Sequence, residues 1–236
     1  MNHFKLFYKS LLNSVYIRIF IGYLRWFYFV KINKKLKNIE SDKSIPNTIS
    51  HNMQVFDKFP LTDFVMTRMD RLLNATKAIE LIADQSEILV IGPRTESDIL
   101  KLKGLFPAAN IYGVDLISYS NWIQLEDAHN LSYDSDTFDC IISGWVLAYS
   151  DEKEKMIKEM IRVVKDSGII SIGFEYDKLN EINSVKDIEY ILKKNNYNYN
   201  LIFNYDALLK NKSAEELYNI TRNHGSQIIV CFRVFK

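Results

Sequence analysis

Residues 125–174 read LEDAHNLSYDSDTFDCIISGWVLAYSDEKEKMIKEMIRVVKDSGIISIGF, and this stretch decides the fold. Two short apolar runs, at 138–143 and 168–174, predict strands. Between them the apolar residues of 156–164 recur at helical spacing. Ser150 can cap the start of this helix, and the turn residues 166–168 can end it. A strand, a helix and a second strand in this order are typical of a parallel sheet.

The same alternation continues on both sides of this stretch. In the upstream runs 87–91 and 110–114, polar and apolar residues do not alternate, which is typical of strands buried on both faces. The sequence therefore predicts an α/β fold with a doubly wound, mostly parallel sheet. The further predicted elements are an apolar helical face over 61–82, helices over 97–105, 184–195 and 213–223, and strands over 201–203 and 227–235.

The residues directly after the strands are the candidates for ligand binding, because ligands of such sheets bind beyond the carboxyl ends of the strands. Gly92 follows the strand at 87–91, and glycine lets the backbone turn sharply toward a ligand. Asp115 follows the next strand, where a carboxylate can accept hydrogen bonds from both ribose hydroxyls of a nucleoside. The alternative for Asp115 is a turn cap.

The segment between Asp115 and Asp127 is short. Only 12 positions separate the two acids, whereas a parallel crossover with its helix takes a dozen residues or more before its strand is counted. We therefore expect residues 116–126 to form a loop or a very short strand over the cleft, which gives the sheet a shortened middle.

Four pieces of residues 86–176, in order, resemble the class I S-adenosylmethionine-dependent methyltransferases. The strand start at 136–139 looks like the family's S-F-D segment, and 162–168 (RVVKDSG) looks like its R-V-L-K-P-G-G helix end. The turn at 145–147 looks like the one beneath the methionine moiety. The segment 127–131 (DAHNL) looks like the acidic segment that accepts from the adenine amino group.

The resemblance implies a Rossmann-like fold, S-adenosylmethionine as cofactor, and methyl transfer to an unidentified acceptor. It places Asp115 at the ribose, Leu116 beside the adenine ring and Asp127 at the adenine amino group; a helix cap is the alternative for Asp127. The positions implied for cofactor binding are Gly92, Arg94, Asp115, Leu116, Asp127, Ala128, Ser143 and Trp145.

The glycine loop departs from the family's E-x-G-x-G-x-G. Val90 stands at the acid, and Arg94 and Glu96 stand at the second and third glycines. Arg94 can donate a bidentate pair of hydrogen bonds to the cofactor carboxylate, or it can form an ion pair with Glu96 or Asp98. This degenerate loop keeps open an alternative function, a catalytically inactive methyltransferase-fold scaffold. The absence of G-x-G-x-x-G disfavours a nicotinamide-dependent oxidoreductase.

A catalytic base is needed only when the acceptor must lose a proton. The candidates are His129, Tyr149 and Glu175. Each has a structural alternative: a hydrogen-bonded histidine without catalytic role, a core aromatic residue, and an ordinary exposed acid.

The N-terminal residues differ in charge from the rest. Residues 1–39 contain eight Lys and Arg and no acid, so the remainder carries 22 bases and 29 acids. The aromatic run 4–32 is interrupted by Arg18 and Arg25, which share one helical face, and no uncharged run reaches the roughly 20 residues of a membrane span. This helix can lie on an anionic membrane surface, or it can pack on the domain or on a second copy of the chain. The spread of its bases among aliphatic residues disfavours nucleic acid.

Composition sets the remaining limits. Two cysteines, Cys140 and Cys231, exclude a disulfide scaffold and a four-cysteine metal site, and no metal-ligand spacing is found. We therefore expect a metal-free protein of the reducing cytoplasm, with membrane association through the N-terminal helix as an open alternative. The predicted organisation is a basic aromatic helix at 1–39, a linker at 40–60 and the methyltransferase-like domain at 61–236.

Overall fold

The computed structural model describes residues 7, 9–41, 48–65, 69–80, 82, 85–175, 182, 184–205 and 227–236. The helices are α1 (Val15–Trp26), α2 (Thr48–Gln54), α3 (Leu61–Val65), α4 (Asp70–Lys77), α5 (Glu96–Leu105), α6 (Lys153–Val163) and α7 (Val185–Lys194). The strands are β1 (Lys37–Asn38), β2 (Glu87–Ile91), β3 (Asn110–Asp115), β4 (Ile117–Ser118), β5 (Ile123–Leu125), β6 (Phe138–Gly144), β7 (Val164–Glu175), β8 (Asn198–Tyr205) and β9 (Gln227–Phe235). The helix predicted over 213–223 lies outside the described residues.

Seven of the described strands form one sheet in the order β5-β3-β2-β6-β7-β9-β8. The strands from β5 to β7 are parallel, and β9 runs antiparallel between β7 and β8. Ile91 of β2 pairs with Val114 of β3 and with Ser143 of β6. The carboxyl ends of three central strands therefore meet at one edge, and the predicted mostly parallel α/β fold is confirmed.

Helices cover both faces of this sheet, which explains why β2 lacks polar alternation. Leu89 and Ile91 belong to a core that includes Met156 of α6 and Ile188 of α7. Ile88 and Val90, one step along the strand, face the core built with α4 and α5. Cys140 and Cys231 are free thiols buried in that second core.

The shortened middle is present as predicted. The chain passes from β3 to the parallel β5 through residues 116–122, in which the structure shows only the two-residue strand β4. β4 pairs with β1 of the N-terminal segment instead of with the main sheet. The space left by the missing crossover helix is thus bordered by residues from the start of the chain.

The N-terminal helix packs on the body through its polar face. Gly22 lies against Phe64, so closely that a Cβ at position 22 would fall 2.1 Å from the ring atom Cε1. Arg18 is buried and donates to the carbonyls of Leu12 (2.8 Å) and Asn13 (3.0 Å). The bases on this face, which one hypothesis placed against lipid, therefore serve contacts within the protein.

The segment predicted as a linker, 40–60, contains ordered helical structure. α2 is followed by a turn of 3₁₀ helix, Val55–Asp57, whose Phe56 is fully buried and meets the Tyr119 ring edge to face. The three predicted segments of the chain are therefore in contact with one another. Among the residues that the structure describes, no helix has the length and apolar character needed to cross a membrane.

Candidate functional site

A cleft opens at the carboxyl ends of β2, β3 and β6. Most of the residues predicted to bind a cofactor or to act in catalysis line it: Gly92, Arg94, Asp115, Leu116, Asp127, Ala128, His129, Trp145 and Tyr149. Ser143 does not line it, because its hydroxyl is buried. Glu175 ends β7, and its side chain lies outside the described part of the structure. The topology thus brings together residues up to 57 positions apart in the chain.

The turn after β2 needs its glycine. Gly92 has φ +72°, and a Cβ there would fall 2.1 Å from Val146 Cγ2. Arg94 (φ +48°) and Trp145 (φ +60°) also adopt left-handed backbone conformations, although both carry side chains. Such conformations cost about 1–3 kcal/mol each and occur preferentially at binding sites. Both residues border this cleft.

Asp115 is held by backbone amides at the end of β3. Its Oδ2 accepts from the amide of Arg94 (2.8 Å) and its Oδ1 from the amide of Ile117 (3.2 Å). Burial raises the pKa of this carboxyl to about 6, and the amides oppose the rise only in part. The amide of Leu116 also bonds to this carboxylate. With about four acceptor positions, the carboxylate still has capacity for a ligand hydroxyl.

Asp127 is the centre of a hydrogen-bond chain. Its Oδ1 accepts from the amide of His129 (2.9 Å) and contacts the ring Nδ1 (2.5 Å), while its Oδ2 accepts from the Ser41 hydroxyl (2.6 Å). Burial alone would raise the pKa of Asp127, but the hydrogen bonds from Ser41 and His129 outweigh it and lower that pKa. Asp127 is therefore ionised under ordinary conditions.

His129 has both ring nitrogens engaged. Nδ1 faces Asp127, and Nε2 lies 2.6 Å from the hydroxyl of Ser150, which also accepts from the amide of Glu152. This is the arrangement expected for the structural alternative. The predicted role of His129 as a base stays a prediction, as do those of Tyr149 and Glu175.

Arg94 forms an ion pair that the sequence did not indicate. Its Nη2 and Nε donate to the two carboxylate oxygens of Asp63, at 2.6 and 3.2 Å. The predicted pairing with Glu96 or Asp98 is wrong. Glu96 instead accepts from Nε and Nη2 of Arg25, both at 2.7 Å, and from the Ser120 hydroxyl.

Residues from the predicted linker also border the cleft and were missed. Ile49 and Asn52 of α2 line it, and Ser41 bonds to Asp127. One signal was available: Ile49, Met53 and Phe56 recur at helical spacing and share one apolar cluster. Nothing in the sequence indicated that this helix covers the strand ends.

The cleft suits a nucleoside ligand. Apolar side chains of Val114, Leu116, Ile117 and Met156 line it together with the carboxyls of Asp115 and Asp127. Flat bases bind between such apolar walls, and a few convergent polar groups fix their orientation. Within the described residues, no group of three or more His, Cys, Asp or Glu side chains is arranged to hold a metal ion.

Comparisons with known proteins agree with this geometry. Residues 89–172 match the family model described as a methyltransferase domain. Similar solved structures include a candidate sarcosine dimethylglycine methyltransferase from Galdieria sulphuraria (TM-score 0.55, 14% identity, covering 75% of this chain and 89% of that one). Another is an S-adenosylmethionine-dependent methyltransferase from Aquifex aeolicus (TM-score 0.51, 12% identity, 72% and 94%).

A third similar structure is a chain of the complex between the Haloferax volcanii Trm112 methyltransferase activator and a candidate methyltransferase (TM-score 0.53, 11% identity, 74% and 92%). A comparison with proteins of curated function finds no match. At these identities the structures show the fold. The family match and the fold together confirm the resemblance drawn from the motifs.

Proposed function

We propose that this chain, whose residues 89–172 match the methyltransferase domain model, is a class I S-adenosylmethionine-dependent methyltransferase that transfers the sulfonium methyl group of that cofactor to an acceptor. The observation that carries the proposal is the position of two acids. Asp115 ends β3 and Asp127 follows β5, and both line the cleft that Gly92 borders.

The chain's own residues would bind and orient the cofactor. Asp115 accepts from the ribose hydroxyls, Leu116 and Ile49 pack beside the adenine ring, and Asp127 faces its amino group. The cofactor supplies an already activated methyl group, so the protein contributes mainly position and a water-excluding pocket. Tyr149 is partly exposed at the cleft and is the candidate to contact the acceptor. In this arrangement His129 acts by holding Asp127.

Calorimetric titration of the full chain with S-adenosylmethionine and S-adenosylhomocysteine tests the cofactor. Saturable binding of both supports the proposal. Absence of heat at millimolar ligand would leave the scaffold alternative standing. Incubation of cell extracts with the protein and cofactor carrying a labelled methyl group then follows the label into lipid, protein or small-molecule fractions. Cofactor binding without transfer to any fraction would contradict the enzymatic role.

A second proposal concerns the outward side of α1 and its continuation to Ile32. The polar side of this helix faces the body, which leaves an aromatic face exposed to solvent, with Tyr16 80% and Phe20 64% exposed. We define the aromatic face as Tyr16, Phe20, Tyr23, Leu24, Phe27, Tyr28 and Ile32, all exposed. Contiguous apolar patches of this kind mark membrane or protein interaction sites.

We propose that the aromatic face binds the surface of an anionic membrane, which makes the protein a peripheral membrane protein of the cytoplasm. The chain directly after the aromatic face carries the exposed bases Lys34, Lys35 and Lys37, and residues 1–39 contain no acid. Rings at headgroup depth beside lysines fit an anionic lipid surface. A second copy of the chain would offer these lysines no counter charge from its own residues 1–39.

Vesicle co-sedimentation tests this surface. The full chain should bind vesicles containing phosphatidylserine more tightly than neutral ones, with a part that fades as salt rises. The double variant F20S/L24S should lose binding. Tyr190→Ser, which removes an equally exposed ring of α7, is the matched control and should bind like wild type. Equal, negligible sedimentation under all conditions would overturn the membrane role. A dimer lost in F20S/L24S would assign the face to a second copy.

A further inference from the structure

A buried carboxyl at the start of α5, that of Asp98, has one oxygen without a hydrogen-bond partner. Asp98 is 5% exposed, and its Oδ1 is buried without a hydrogen bond. It lines a small cavity together with Asp63, Met69 and Thr95. Gly92, Arg94 and Gly144 border both this cavity and the cofactor cleft. The cavity, of about 30 Å³, is thus a side chamber of the cleft with room for one small polar group.

The ordinary roles of an acid at this helical position are not filled. An acid at the third residue of a helix often accepts from the amide of the capping residue, but the amide of Thr95 donates to the carbonyl of Pro93. Among the described residues, the cations near Asp98 are also occupied, since Arg94 is paired with Asp63 and Lys101 with Asp70. A buried acceptor without a partner is costly, which argues that the missing partner is a ligand.

The charges around the chamber select the kind of ligand. Asp63 and Arg94 neutralise each other, and so do Asp70 and Lys101. Burial, with the charges of Asp63 and Asp70, raises the pKa of Asp98 well above its ordinary value, and Arg94 and Lys101 oppose this. A cationic donor would compensate the carboxylate, whereas an anion would meet a further negative charge.

We propose that the Asp98 carboxylate binds an ammonium group of a ligand in the cofactor cleft. The inference rests on the proposed function, in which two sources supply this chemistry: the amino-acid end of the cofactor, or an amine that serves as methyl acceptor. In both cases the N–H groups of the ligand donate to Oδ1. The chamber has room for the ammonium group but not for the rest of the ligand.

The cofactor source is tested by calorimetry with two probes on the full chain. Wild type should bind S-adenosylhomocysteine roughly 10- to 100-fold more tightly than its analogue lacking the amino group, because hydrogen bonds to a charged group have this strength. Asp98→Asn should lose the preference. Asp134→Asn, at an exposed position outside the cleft and the chamber, should keep it. The comparison of the two probes on wild type stands even if the variant fails to fold.

The amine source is tested by titrating methylamine and dimethylamine into the free and the S-adenosylhomocysteine-saturated chain. Binding to wild type and Asp134→Asn, but not to Asp98→Asn, assigns the chamber to an amine acceptor. Wild type should also release protons on binding, seen as enthalpies that vary with buffer. S-adenosylhomocysteine binding without amino-group preference, together with no amine binding, overturns this inference alone. No binding of S-adenosylhomocysteine overturns the proposed function, and the amine titration of the free chain still decides the role of Asp98.

Discussion

The two ends of the cofactor cleft are built in different ways. At the end that holds Asp115 and Asp127, the acids take backbone amides from 2 or 21 residues away. At the end formed by residues 92–98, charged side chains stand in place of glycines and pair with charged side chains of other elements: Asp63 lies 31 residues from Arg94, and Arg25 lies 71 residues from Glu96. The loop end can carry charged side chains because Arg25 of α1 and Asp63 of α3 supply their counter charges.

The largest expected effect comes from removing the partner of a buried charge at the loop end. Glu96 is fully buried and Arg25 is 23% exposed. Arg25→Met should lower the free energy of unfolding by about 3 kcal/mol, because it leaves the Glu96 carboxylate uncompensated. Adding Glu96→Gln to Arg25→Met should restore most of that loss. Denaturant unfolding measures both.

The matched control for Arg25→Met is Lys165→Met, which breaks the more exposed pair with Asp139 (2.8 Å). It should cost less than about 1 kcal/mol. Equal effects of the two substitutions would show that the loop end does not depend on the N-terminal segment.

The next largest effect concerns the nucleoside end. Asp115→Asn should weaken S-adenosylhomocysteine binding by roughly 10- to 100-fold, since a neutral amide replaces a charged acceptor. Asp134→Asn, at an exposed position outside the cleft, should bind like wild type. Calorimetry measures both constants. Unchanged affinity in Asp115→Asn would reduce Asp115 to a turn cap.

Binding at this end should also depend on pH. Because the pKa of Asp115 is about 6 in the folded protein, against 3.8 ordinarily, the acid becomes protonated below about pH 6. S-adenosylhomocysteine affinity should be flat above this pH and should fall as pH drops below it, by up to about tenfold per unit. Asp115→Asn should lack this dependence. A wild-type affinity that does not change between pH 5 and 8 would contradict the assignment of Asp115 to the ribose.

The raised pKa of Asp115 also affects the free energy of unfolding. This free energy should fall as pH rises, whereas ligand affinity should fall as pH drops. The folded protein retains a proton on Asp115 that the unfolded chain releases, so this contribution is full below about pH 4 and is lost as pH rises through about 6. Relative to Asp115→Asn, wild type should therefore lose free energy of unfolding across that window.

The smallest expected effect concerns Ser41, which contacts Asp127. Ser41 donates to Asp127 Oδ2, the oxygen that an adenine amino group would also use. Ser41→Ala should tighten S-adenosylhomocysteine binding about two- to tenfold, the strength of one neutral hydrogen bond. Ser135→Ala, an exposed serine elsewhere, serves as control. Weaker binding in Ser41→Ala would show that Ser41 orients the acid instead of competing with the ligand.

The same comparison separates what the sequence could predict. Strand periodicity located Gly92, Asp115 and the short middle, because each follows from neighbouring residues. It could not locate Ser41 or Asp63, whose roles depend on tertiary contacts 86 and 31 residues away. Ser143 does not line the cleft: its side chain is buried inside β6, whose next residue, Gly144, borders the cleft.

The contacts of residues 25–41 with later parts of the chain affect the order of folding. Residues 25–41 are synthesised before Glu96, β4 and Asp127, on which they dock. During synthesis, which proceeds from the N-terminus, these partners do not yet exist. Contacts between distant parts of a chain also form slowly, since a long loop must close first. We expect the sheet to assemble early. The ligand-binding cleft should close only when residues 25–41 dock on it.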